Sequence, residues 1–349
     1  MRGWGELFVL GAQLAFCASC ASPPTPAARR PPVPAPAPAA LVEVPHELQL
    51  GPIALTLSDS RTAQVFHIVD RLSRWRSALN PAYTTWAETA MPLDDAERAM
   101  LAAHAKLRAR RGWGALDQAF YVEDSIDVAA REAADRKLLT PADAEAERAL
   151  LDHFAPRLDA LLATQKPAVT ALEEALARQA PAVAPLAAQL GRFCETEGTV
   201  EVHAFLVSDP SKSAGGSTAH GGRLVVEVMP EADSAPTFLH ALFHEVLERR
   251  RGSIAIAAQK CDEPVDPETL QEGLAYAFAP GLVHPRGSDP LLDMVNADRA
   301  RPLSDPDVRF ARLGLAIRTE LGSALEGGRD SLGAFLPTVC DAWGKLVKR

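Results

Sequence analysis

Residues 237–251 read T-F-L-H-A-L-F-H-E-V-L-E-R-R-R, with His240 and His244 four positions apart. On a helix, positions four apart lie about 40° around the axis from each other and one turn along it. Two imidazoles so placed converge on one point, the relation a zinc ion requires of its first two helical ligands. Phe238, Leu239, Leu242, Phe243, Val246 and Leu247 cluster on a neighbouring face. The stretch therefore has an apolar side for a core and a flank on which metal chemistry can be built. Hydrolysis at such a metal also needs a general base within hydrogen-bond reach. Ala241, next to the first histidine, cannot act as one. The nearest carboxylates on the helix are Glu245 and Glu248.

Residues 270–278 read L-Q-E-G-L-A-Y-A-F. H-A-L-F-H followed by E-G-L-A resembles the paired active-site helices of glutamate-type zincin metallopeptidases, whose signature is H-E-x-x-H with a later E-G-x-A. The resemblance covers residues 221–282. It implies that His240, His244 and Glu272 are zinc ligands and that the partner is a peptide or protein. It implies an α+β fold, mostly helical, with a small mixed sheet packed on the active-site helix. The departure is at Ala241, where the family has its glutamate base. Three readings follow. In the first, zinc sits on His240, His244 and Glu272, and the chain is a weakened or inactive peptidase. In the second, Glu245 replaces the base, although it lies about 140° around the helix from His240. In the third, the register shifts to His244-Glu245-x-x-Glu248, with Glu245 as base and Glu248 as second ligand. The gap to Glu272 is then 28 residues instead of 32. A non-catalytic binding or scaffold protein is the alternative from a different class.

The chain has 349 residues, 47 % of them hydrophobic, and a net charge of −9. That charge argues against wholesale binding to nucleic acid or anionic lipid. Residues 1–20 read as a signal peptide: Arg2, an apolar run over 7–16, then Ala18-Ser19-Cys20. Small residues before a cysteine resemble a bacterial lipobox, so Cys20 is the expected lipidation site. The Pro/Ala-rich residues 21–45 read as a tether, and the lipid is the only membrane contact expected. Ala21 after the cysteine points to an outer-membrane lipoprotein of the cell envelope; plain signal-peptide cleavage near Ala21, giving a secreted or periplasmic chain, is the alternative. In that compartment two of Cys194, Cys261 and Cys340 can pair, and the sequence leaves open which.

Two further parts are expected, a helical domain over 46–195 and the metal-site domain over 196–349. Residues 48–57 predict a strand. Residues 61–79 and 94–111 predict helices, the second with a basic C-terminal end. Thr140-Pro141 opens a helix, with breaks expected near Pro156, Pro181 and Pro185. Residues 199–207 alternate, with Val200, Val202, Ala204 and Leu206 on one side and His203 on the other. Residues 208–222 predict a flexible polar loop at the rim of the cleft, and 223–229 a second strand. Ala241 is expected to face solvent in that cleft.

Overall fold

The computed structural model describes residues 47–75, 82–111, 114–210, 216–220, 222–229, 234–284, 287–328 and 331–348. Cys20, the signal peptide and the tether lie outside the described residues. Within those described, no helix is long and apolar enough to cross a membrane.

The fold is α+β and mostly helical, with one small mixed sheet. The chain enters it through a hairpin, β1 (Glu47–Leu50) and β2 (Ile53–Ser58), where the sequence predicts a single strand. The turn between them is set by a close approach. A Cβ at Gly51 would lie 2.6 Å from the backbone nitrogen of Ala188, and its φ is +59°, so only glycine fits without strain.

Helices α1 (Arg61–Ser73), α2 (Ala82–Ala90), α3 (Asp95–Arg111), α4 (Ala115–Phe120), α5 (Ile126–Asp135) and α6 (Pro141–Phe193) follow. Thr140 caps α6 by accepting from the Asp143 amide at 3.1 Å. The breaks expected in α6 do not occur: it runs unbroken through Pro156, Pro167, Pro181 and Pro185. All four prolines are exposed, so water can satisfy the carbonyls that lose a helical donor.

The second half contributes β3 (Val200–Ser208), β4 (Ser217–His220) and β5 (Arg223–Val228). Strand order is β1-β2-β3-β5-β4; β2, β3 and β5 run parallel, and β1 and β4 are antiparallel edges. The expected domains over 46–195 and 196–349 thus share one sheet and fall in one compact unit, Val44–Arg349. After it come α7 (Ala235–Glu248), α8 (Arg251–Ala258), α9 (Pro267–Tyr276), an irregular turn at Ala277–Leu282, α10 (Pro290–Ala297), α11 (Pro306–Gly327) and α12 (Leu332–Val347).

The sheet packs against a core on each face, and the period-2 pattern decides which residue goes where. Val200, Val202, Ala204 and Leu206 face a core shared with the C-terminal half of α6 and with α7, α9, α11 and α12. Phe205, Val207 and Val225 face a second core under α1–α5 and the first half of α6. Each large apolar side chain so buried contributes roughly 1.5–3 kcal/mol. The second core also contains charge. His104 lies between Asp70 (3.0 Å) and Glu147 (2.7 Å), and Arg108 is clasped by Asp70 and Asp117. The basic end of α3 therefore does more than complement the helix dipole, since Arg108 is wholly buried.

Cys261, just after α8, is bonded to Cys340 on α12 with a Cα–Cα distance of 5.1 Å. Cys194 is the buried free thiol, and burial pushes its pKa up to about 12.

Candidate metal centre

Helix α7 buries Phe238, Leu239, Leu242, Phe243 and Val246 in the larger core. That burial fixes its rotation and leaves His240 and His244 on the flank with 17 % and 15 % of their side chains exposed. Glu272 arrives from α9, which is capped by Asp266 accepting from the Thr269 amide at 2.8 Å. The glycine after Glu272 has a packing reason. A Cβ at Gly273 would lie 2.7 Å from the Leu313 side chain, and one at Gly314 would lie 2.7 Å from the Cβ of Tyr276. These two glycines let α9 and α11 meet closely enough to hold Glu272 against α7.

The three donor atoms form a tight triangle. His240 Nε2 and His244 Nε2 are 3.1 Å apart, and each faces Glu272 Oε2, at 3.3 and 3.1 Å respectively. A tetrahedral ion with bonds of about 2.0–2.1 Å holds its ligands about 3.3 Å from one another. The group is the only one of its kind among the described residues, and it can hold a metal ion. Burial opposes the charge on Glu272, but the two imidazoles set against it outweigh burial and hold its pKa at about 2. The carboxylate is thus ionised and ready as a ligand.

The two imidazoles are prepared differently. His240 Nδ1 donates to the Ala279 carbonyl at 3.0 Å, which assigns the proton to Nδ1 and leaves the Nε2 lone pair facing the centre. His244 Nδ1 faces the Gln271 amide nitrogen at 3.5 Å, and that nitrogen also donates to Glu248 Oε2 at 3.2 Å. Because an ionised carboxylate only accepts, Gln271 presents its NH₂ end, and His244 Nδ1 accepts from it. In this arrangement His244 carries its proton on Nε2 and shares it with Glu272.

A cavity of about 300 Å³ opens beside the triangle, lined by Ser217, Thr218, Ala241, Glu245, Glu248 and Gln271 as well as the three metal-group residues. Ala241 is at the cavity, but it is 2 % exposed instead of solvent-facing, because β4 packs over α7. The predicted flexible loop over 208–222 includes this edge strand. It is pinned at both ends by buried carboxylates. Glu227 on β5 accepts from the Gly216 amide at 2.7 Å, from His67 at 2.9 Å and from Arg71 at 3.0 Å. Glu245 Oε2 accepts from the Gly222 amide at 3.0 Å. Glu245 therefore lies along the cavity while its carboxylate holds the β4–β5 turn. Glu248 is outside the metal group, bonded to Arg251 at 3.0 Å and to Gln271.

Sequence reasoning finds His240, His244 and Glu272 but misses their support. Tyr276, one turn after Glu272, sets its ring 4.6 Å from that of His240, and its spacing on α9 is a usable signal. The Ala279 carbonyl and the Gln271 bridge depend on contacts between distant segments and leave no local pattern.

Set against protein-family models, curated proteins and solved structures, the chain finds no match.

Proposed function

We propose that the chain is a zinc-binding, zincin-like protein that engages peptide or protein, with peptidase chemistry weakened or absent because Ala241 stands in the place of the general base. The triangle of His240, His244 and Glu272 donor atoms, 3.1–3.3 Å on each side, carries the reading. Two imidazoles, one carboxylate and a cavity alongside are the donor set of a catalytic zinc site, with three protein ligands and a fourth position left for a ligand. When bound, zinc would supply Lewis acidity toward a carbonyl and favour the ionisation of water. The chain supplies the rest. Glu272 brings negative charge, Ala279 orients His240, and β4 walls the cavity. At position 241 a methyl group meets the cavity, so no proton can be taken up there.

Ala241→Glu tests this. The new side chain would extend from a buried Cβ into the cavity beside it. Peptidase activity against an unstructured protein such as casein should rise, since a positioned general base typically contributes on the order of 10²–10⁴-fold. Glu245 lines the same cavity, which keeps a substitute base in play. If the natural chain is already a vigorous peptidase and Glu245→Gln abolishes that, Glu245 is the base and the weakened reading is wrong.

A further inference from the structure

We propose that the metal cleft takes an extended peptide with a basic side chain about two residues from its metal-anchored group, and that Glu248 receives that side chain. The inference rests on the metal reading above and adds the ligand's chemical class.

Apart from His240 and His244, the ionisable side chains that line the cavity are Glu245, Glu248 and Glu272; none of the described lining residues is Lys or Arg. Two of the carboxylates are already committed. Glu272 belongs to the triangle, and Glu245 is 6 % exposed with the Gly222 amide on its Oε2. Glu248 differs from both. Its side chain is 43 % exposed, and it sits at the mouth, one helical turn beyond His244. One turn is about 5.4 Å, and an extended chain advances about 3.3 Å per residue. A ligand anchored at the triangle therefore reaches Glu248 within about two residues.

Glu248 is also available. Its cationic partner is Arg251, three residues on and 72 % exposed, and exposed pairs of this kind are worth little. A ligand ammonium or guanidinium can take Arg251's place at small cost. Gln271 bonds the other carboxylate oxygen at 3.2 Å, which holds the group facing the cleft while the exchange occurs. An acidic ligand cannot take Arg251's place on Glu248, and it brings its charge into a cavity already lined by Glu245, Glu248 and Glu272.

The test uses the full purified chain loaded with zinc and three short peptide hydroxamates. They differ only two positions from the hydroxamate, with Lys, Ala or Glu there. The lysine probe should bind on the order of 3- to 10-fold tighter than the alanine probe at low salt, and the glutamate probe weaker than both. Added salt should shrink the difference. Glu248→Gln should erase the preference, and Arg251→Ala should tighten the lysine probe by removing its competitor, a change that a purely structural Glu248 would not produce. Equal binding of the three probes overturns the inference while the metal reading stands. So does a lysine preference that survives Glu248→Gln. Loss of zinc from Glu248→Gln overturns it by making Glu248 a ligand. Failure of the natural chain to bind zinc removes the metal reading and the inference together.

Discussion

Gln271 is the residue at which the site is least ready for a metal. Its NH₂ group donates toward His244 Nδ1, which favours a proton on Nε2, where a metal would bind. A carboxylate at 271 would instead accept from Nδ1–H and turn the Nε2 lone pair toward the centre. Gln271→Glu should tighten zinc on the order of 10-fold, the scale of outer-shell effects, because Arg251 remains to hold Glu248 away. Competition against a chelator of known affinity measures it, and an unchanged or weaker affinity contradicts the assigned orientation. This asymmetry was invisible in the sequence. The His240–His244 spacing and the E-G pair at 272–273 are local and legible, as one helical periodicity and one glycine requirement. The partners that set tautomers, Ala279 and Gln271, come from α9 and the turn after it, and only the fold brings them to α7.

Among the elements, β4 decides whether the cavity has a wall. A four-residue strand within a polar, glycine-rich stretch has too little pattern to be read from sequence; it pairs antiparallel with β5, and Glu227 and Glu245 hold the glycines that flank it. Glu227 is itself 3 % exposed between His67 and Arg71. Glu227→Ala leaves Arg71 facing a buried void and frees the Gly216 amide. It should cost about 3–5 kcal/mol, the scale for breaking a buried pair. Denaturant unfolding measures the loss, and hydrogen exchange should show the β4 amides opening first. A loss below about 1 kcal/mol, as for a surface pair, would mean that the strand is held by something else. Elsewhere the elements split along the same line. β3, β5, α7 and the caps at Thr140 and Asp266 follow from alternation, amphipathicity and cap chemistry. The β1–β2 turn follows from a contact with α6 more than 130 residues away in sequence. The continuity of α6 follows from the exposure of its prolines.

Val44–Arg349 is one compact unit because its sheet takes strands from both halves of the sequence. Its two cores differ in character. The larger is apolar and positions α7; the other buries the chain of Asp70, His104, Glu147 and Arg108. Burial works against a charge on His104, but its bonds to Asp70 and Glu147 prevail and raise its pKa to about 9 from 6.5. A raised folded-state pKa gives stability that is fully present below 6.5 and is lost as pH rises through about 9. The natural chain should therefore become easier to unfold with denaturant across that window, and His104→Gln should flatten the slope; an equally steep slope in the variant contradicts the role given to His104. The central claim concerns the other core, whose flank carries His240, His244 and Glu272, and zinc content of the full chain after equilibrium dialysis tests it most directly. The account predicts about one zinc ion per natural chain, the number a single three-ligand site holds, and its loss in both His240→Ala and His244→Ala. A natural chain that takes up no zinc, or variants that retain it in full, would contradict the account.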